Sequence, residues 1–182
     1  LMQLPMSEEE RGDKPFSFLF VDPTGWSGYG LNAITRILRQ EPSEVLINFM
    51  TGHIRRFLES PDQETRESFR DLFGSDAFRE RIRGLAGQDL EDAAVEEYAA
   101  QLKEAGQFAY VCSAIVLHPE IDRTHFHLTY CTRSPKGVEV FKGAERSAMD
   151  VQEAGKASAQ QRTREQRTGQ PSLLSSEELH DS

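Results

Sequence analysis

The sequence predicts an α/β protein: its first third alternates apolar runs with helical patterns, and a run of helices is then followed by two further apolar runs. Residues 15–21 (PFSFLFV) and 45–50 (VLINFM) are the first two runs, and a helical pattern follows each of them. Strands that are connected through helices lie parallel in one sheet, because the chain must cross over before each new strand begins. A hydrophobic content of 37% in 182 residues is enough for one core.

The first strand is expected to be buried on both faces, because residues 15–21 are almost entirely apolar or aromatic. A loop rich in proline and glycine, residues 22–30, leads from it into a helix whose apolar side chains recur at helical spacing. Residues 45–50 form the second strand. The helix after it has its apolar positions at Ile54, Phe57 and Leu58.

Residues 61–106 carry only helical patterns, which indicates a helical insertion. Residues 108–117 and 125–132 are two strands whose short connection requires an antiparallel hairpin. A last helix begins at Ser134-Pro135. We therefore expect a partial Rossmann-like domain over residues 1–149. Residues 150–182 are predicted to be a polar tail that is disordered unless a partner orders it.

Composition excludes several classes of protein. A formal charge of −9 argues against a general polyanion-binding surface, so any contact with nucleic acid must be local. No run of about 20 apolar residues predicts a membrane span, and two cysteines do not make a disulfide scaffold, so the cytoplasm is the expected compartment. The chain begins at Leu1 and reaches a strand almost at once, so we expect it to be part of a longer protein.

A candidate site follows the first strand. Ligands of doubly wound sheets bind beyond the carboxyl ends of the strands, where Asp22, Pro23 and Trp26 lie. A carboxylate accepts hydrogen bonds from an amino group while the rings supply a stacking wall, so this set suits a planar amine. The alternative is structural: Asp22 caps the strand and Trp26 packs on the sheet.

The second strand ends in Asn48 and is followed by His53, which could reach the same cavity as Asp22. Asn48 could instead cap the next helix, and His53 could be a partly buried surface residue. In the hairpin, a symmetric loop would bring Cys112 and Cys131 to one face together with His125 and His127. That geometry permits a metal site but lacks the close cysteine pairs typical of zinc, so we expect two reduced, metal-free cysteines.

Arginines concentrate in the early helices, where they could face phosphates. Acidic residues alternate with them, which favours a solvated surface of mixed ion pairs. We expect no Gly-x-Gly turn between a strand and the following helix, no phosphate-binding Gly-Lys-Ser/Thr loop and no serine nucleophile elbow. The arginines in question are those at 55, 56, 66, 70, 79, 81 and 83.

Three stretches, PFSFLFVDPTGW, SEVLINFMTGHIRRFL and HFHLTYCTRSPKGVEVFK, resemble the bacterial three-Cys-motif partner family. The family's patterns are a strand ending in Asp-Pro-(Phe)-Gly-Trp, a Val-Leu-Ile-Asn-Phe-Met strand, and a hairpin ending in Thr-(Arg/Lys)-Ser/His-Pro-Lys-Gly. They correspond to residues 22–26, 45–50 and 132–137, and the resemblance covers most of residues 15–149. Thr24 departs from the aromatic residue that is usual after the proline.

The resemblance implies a methyltransferase-type fold in which a preceding half supplies three strands and the turn that binds S-adenosylmethionine. On that analogy the strands of this chain are the fourth to the seventh, the seventh being antiparallel, and no cofactor is expected to bind this chain alone. The resemblance also implies a partner, a phage-type protein with a three-cysteine motif similar to radical S-adenosylmethionine enzymes. Fold alone does not determine activity.

Two hypotheses follow. The first is a methyltransferase-like protein that acts on amino groups of nucleic acid, in which Asp22 orients the acceptor amine and Trp26 and Asn48 shape its pocket. The second is a non-catalytic module that binds the radical-type partner through the helical insertion or the tail.

Overall fold

The computed structural model describes residues 15–23, 25, 27–58, 60–118 and 124–168, with side chains up to residue 155. Four strands and six helices lie within these ranges. In chain order they are β1 (Ser17–Val21), α1 (Leu31–Leu38), β2 (Ser43–Phe49), α2 (Thr51–Phe57), α3 (Gln63–Phe73), α4 (Phe78–Ile82), α5 (Gly87–Gly106), β3 (Tyr110–Leu117), β4 (Thr124–Thr132) and α6 (Pro135–Thr168).

The four strands form one mixed sheet in the order β1-β2-β4-β3. β1 and β2 are parallel, whereas β4 is antiparallel to both of its neighbours, so β3 runs in the same direction as β1 and β2. The parallel pair and the antiparallel hairpin are those that the sequence predicts. The molecule is therefore a mixed α/β protein, and none of its described helices is apolar over enough length to cross a bilayer.

The core lies between one face of the sheet and the helices that follow β1 and β2. Alternate residues of β2, namely Val45, Ile47 and Phe49, are fully buried on this face. Phe49 stacks on Tyr98 of α5 with ring centroids 4.3 Å apart. Each such side chain contributes about 1.5 to 3 kcal/mol when it is fully buried, so this face provides much of the stability. The helical region expected at residues 61–106 consists of α3, α4 and α5.

β1 is not buried on both faces, and that expectation is wrong. Phe16, Phe18 and Phe20 are 54–60% exposed, while Leu19 and Val21 pack against the core. The reason is that α6 packs on β3 and β4, at the other end of the sheet, and among the described residues no strand pairs with the outer edge of β1. An apolar sequence shows that a strand has two apolar faces, but it does not show what covers them.

The loop from β4 to α6 contacts the carboxyl ends of two helices, α1 and α5. Arg133 donates hydrogen bonds to the carbonyl oxygens of Leu38 and Gly106, the last residues of α1 and α5, and its guanidinium lies 4.3 Å from the centre of the Phe108 ring. It also forms an ion pair with Glu41 at 3.0 Å. These contacts satisfy carbonyl groups that a helix end leaves unpaired.

The last helix, α6, begins at Pro135 as predicted, with the Val138 amide bonded to the Ser134 carbonyl oxygen. It continues to Thr168, so part of the segment expected to be a disordered tail is helical in this structure. The remainder of that expected tail, residues 169–182, lies outside the described residues.

Candidate functional site

Asp22 and Asn48 meet at the carboxyl edge of the two parallel strands. Asp22 directly follows β1, Asn48 is the penultimate residue of β2, and Asn48 Nδ2 donates a hydrogen bond of 2.8 Å to Asp22 Oδ1. An ionised carboxylate only accepts hydrogen bonds, so the amide nitrogen of Asn48 must face it. The amide oxygen therefore points away from Asp22.

That amide oxygen, Asn48 Oδ1, is buried and has no hydrogen-bond partner among the described residues. Leaving a buried acceptor unpaired costs about 1 to 3 kcal/mol, which a donor from a ligand would recover. Asp22 is exposed and keeps its second oxygen for a further contact. Asp22 thus offers one acceptor at the surface, and Asn48 Oδ1 offers a second that a ligand reaches once the atoms covering it move aside. Two such acceptors are the complement of an amino group with two N–H donors.

The remaining residues of the predicted loop are only partly described. Pro23 is half-buried next to Asp22. Trp26 and Thr24 lie outside the described residues, so the expected stacking wall at Trp26 stays a prediction.

His53 lines a different cavity from the one expected. It lies in α2, its ring is stacked 6.3 Å from that of Phe57, and it lines a space of about 130 Å³ together with Arg55, Arg56 and His125. Asp22 and Asn48 do not line this space. α2 begins at Thr51, directly after β2, and His53 in its first turn lines this space together with Thr124 at the start of β4.

A Gly-x-Gly turn, Gly28-Tyr29-Gly30, lies between β1 and α1, so the expectation that no such turn follows a strand ahead of a helix is wrong. Gly28 has φ +89°, and a β-carbon on Gly30 would lie 3.1 Å from Asp71 Cβ, so both positions favour glycine. The turn borders a cavity of about 320 Å³ that Asn32 and Ser68 also line. The Gly-x-Gly spacing before a helix was the available signal.

The hairpin does not bring the two cysteines together. Cys131 lies opposite Val111 and Cys112 lies opposite Tyr130, so the cysteines are on opposite faces of the sheet. The register differs by one residue from the symmetric arrangement that the sequence suggests, and a shift by one residue moves a side chain to the other face. No group of three or more potential metal ligands occurs among the described residues.

Three ionisable side chains, Glu91, His127 and Cys131, are buried in the interior of the molecule. Glu91 is 2% exposed and forms an ion pair of 3.0 Å with Arg55; burial raises the pKa of Glu91, and the nearby guanidinium opposes that rise. Burial lowers the pKa of His127 on β4, with a smaller opposing effect from Asp92. Burial likewise raises the pKa of the Cys131 thiol to about 12. These side chains belong to the interior and are not accessible to a substrate in this structure.

Most arginines of the early helices form ion pairs, as the mixed charge pattern predicts. Two of them, Arg56 and Arg66, form no ion pair with a described acidic side chain, and Arg56 lies over the Phe57 ring. The pairs are Arg55–Glu91, Arg70–Asp76, Arg79–Asp76, Arg81–Glu97 and Arg83–Glu80.

Comparison of the chain with protein-family models, with curated proteins and with solved structures finds no match. The residues and geometry of this chain therefore carry its functional assignment.

Proposed function

We propose that this chain is the carboxyl-terminal half of a methyltransferase-like protein of the three-Cys-motif partner family, and that Asp22 and Asn48 bind the amino group of a nucleic-acid base that the protein methylates. The observation that carries the proposal is the hydrogen bond between these two side chains beside the unpartnered Asn48 oxygen. Adjacent parallel strands end at this edge, which is where ligands bind in open α/β sheets.

The sheet topology supports the proposal. The resemblance implies a sheet whose last strand is antiparallel, and β4, the last strand described, is antiparallel to both of its neighbours. The outer edge of β1 and the exposed face formed by Phe16, Phe18 and Phe20 are the surfaces against which a preceding half would add strands and helices. Bare apolar faces of this kind are uncommon unless another element covers them.

The chemistry of the pair supports an amine as ligand. Asp22 accepts one N–H, and Asn48 Oδ1 accepts the other once the atoms that cover it move aside. The two acceptors would then orient the nitrogen and keep its lone pair directed towards an incoming group. The negative charge of Asp22 also favours the partial positive charge that the nitrogen gains as it forms a new bond.

S-adenosylmethionine would supply the methyl group when bound, and the resemblance assigns its site to the preceding half. We assign no residue of this chain to the cofactor, and we expect the 182-residue chain alone not to bind it.

The test uses the complete reading frame with its neighbouring gene product, S-adenosylmethionine with a labelled methyl group, and single-stranded DNA and RNA as acceptors. Losing a charge-assisted hydrogen bond costs about 1.5 to 3 kcal/mol, so Asp22→Asn should lower label transfer by about 10- to 100-fold while Tm is unchanged. Asp150→Asn, an exposed carboxylate on α6, is the control. Absence of transfer by the unmodified protein, or full transfer by a less stable Asp22→Asn variant, would refute the proposal.

A second function, a non-catalytic module that binds the three-cysteine-motif partner, is favoured by one observation. Val140 and Val151 on α6 are 63% and 72% exposed, and they lie eleven residues apart, which brings them to nearly the same stripe of the helix. The double variant Val140→Ser/Val151→Ser should then weaken binding of the neighbouring gene product, measured by calorimetry. Unchanged affinity would exclude this stripe as the binding surface.

A further inference from the structure

A groove lined by arginines runs across the helices that follow β2. It encloses about 510 Å³ between α2, α3, α4 and the start of α5, and none of the described residues that line it is acidic. This concentration of positive charge stands out in a chain whose formal charge is −9. The five arginines that line the groove are Arg55, Arg56, Arg66, Arg79 and Arg83.

These arginines differ in whether an acidic side chain already pairs with their guanidinium group. Three of them already form ion pairs, Arg55 with Glu91, Arg79 with Asp76 and Arg83 with Glu80. Arg79 also donates to the carbonyl oxygens of Leu58 and Arg66. Arg56 and Arg66 are exposed and pair with no described carboxylate. They keep planar sets of N–H donors that match the geometry of a phosphate group.

The groove is continuous with the edge of the sheet. Arg55 and Arg56 line both the groove and the 130 Å³ cavity, and His53 and His125 lie on the far side of that cavity. Cationic and imidazole side chains therefore extend from the end of β2 to the start of α5. Two guanidinium groups without a described acidic partner, those of Arg56 and Arg66, border one groove and suit a ligand with successive negative charges better than one isolated phosphate.

We propose that this groove binds the sugar-phosphate backbone of a single-stranded nucleic acid, with Arg56 and Arg66 as the principal phosphate contacts. The inference deepens the proposed function, since the groove would hold the strand whose base reaches Asp22 and Asn48. Its test measures binding and needs no methyl transfer, so the two proposals can fail separately.

The experiment measures fluorescence anisotropy of a labelled single-stranded DNA of about 12 nucleotides, between about 50 and 200 mM salt. The proteins are the chain itself, the complete reading frame, and the double variant Arg56→Gln/Arg66→Gln. The matched control is Arg36→Gln/Arg146→Gln, which removes two exposed arginines and changes the net charge equally. Circular dichroism confirms that both double variants fold.

Each phosphate contact contributes about 0.7 to the slope of log affinity against log salt for a single strand. The groove variant should therefore show a slope smaller by about 1.4 and an affinity lower by at least about tenfold at 0.1 M salt. The control variant should retain nearly the full slope.

Three outcomes would overturn the proposal. The first is absence of binding to the unmodified proteins at the lowest salt. The second is an equal loss of affinity in the groove and control variants, which would indicate a diffuse charge effect. The third is a doubly phosphorylated peptide that binds as tightly as the oligonucleotide, which would indicate a phosphopeptide site. If the groove fails while transfer still depends on Asp22, the proposed function stands without this surface.

Discussion

Replacing Gly137 by alanine tests how α6 is seated on the sheet. A β-carbon at Gly137 would lie 2.6 Å from Glu44 Oε1 and from Thr132 Oγ1, and 2.7 Å from the Tyr130 hydroxyl oxygen. Glu44 can swing its carboxylate away. Thr132 cannot move as easily, because it is branched at its β-carbon, lies in β4, donates to Glu44 Oε1 at 3.0 Å and accepts from the Ser134 amide at 3.0 Å.

Two effects of opposite sign determine how much Gly137→Ala changes the free energy of unfolding. Forcing an extra methyl group into a packed site costs about 1 to 3 kcal/mol. Alanine in place of glycine in a helix recovers up to about 1 kcal/mol. We therefore expect Gly137→Ala to lower the free energy of unfolding by about 1 to 2 kcal/mol and Tm by about 2 to 8 °C.

Gly143→Ala is the matched control, since it lies in the same helix and its added β-carbon would meet no atom within 4 Å. It should raise stability by about 0.5 to 1 kcal/mol. Urea unfolding followed by far-UV circular dichroism measures both variants. If Gly137→Ala stabilises the protein as much as Gly143→Ala does, the close seating of α6 on Glu44 and Thr132 is refuted.

Three further predictions concern the interior. Arg133→Met should lower the free energy of unfolding by about 3 to 5 kcal/mol, because it removes the donor to the ends of α1 and α5. The same change at exposed Arg36 should cost under about 1 kcal/mol. Equal losses would contradict the role of Arg133 at the two helix ends. Burial lowers the pKa of His127, so the unfolded chain binds more protons there than the folded one. The free energy of unfolding should therefore fall as pH decreases through about 6.5, by at most about 1.4 kcal/mol per pH unit. Urea unfolding at several pH values should show that His127→Gln flattens this fall. An unchanged slope would show that another group causes it. Burial raises the pKa of the Cys131 thiol to about 12, so Cys131 should resist alkylation in the folded protein while the half-buried Cys112 reacts. Equal rates of alkylation would show that Cys131 is accessible.

Local patterns were sufficient to predict most elements of the fold. The apolar runs gave β1 and β2, and the need for a crossover made them parallel. The short connection after Leu117 required an antiparallel hairpin. The order in which β4 lies between β2 and β3 could not be predicted, because it depends on contacts between residues far apart in the sequence.

The candidate site was predictable only where strand direction decides it. Asp22 and Asn48 each lie at the carboxyl end of a strand, so parallel pairing alone brings them together. His53 lies one turn into α2, and its direction depends on how that helix leaves the sheet. The position of Cys112 depended on the hairpin register, which a shift by one residue reverses.

The outer edge of β1, which no described strand covers, has a consequence for how this protein is made. Residues 16–21 (FSFLFV) combine aromatic and β-branched side chains without a charge or a proline, the composition of segments that stack into cross-β aggregates. Exposed strand edges serve as templates on which a second copy can pair. Lys14 and Asp22 flank the run, as charged gatekeeper residues do in other aggregation-prone strands. During synthesis, the interval before this edge is covered is therefore the period in which copies of the chain are most exposed to mispairing with one another.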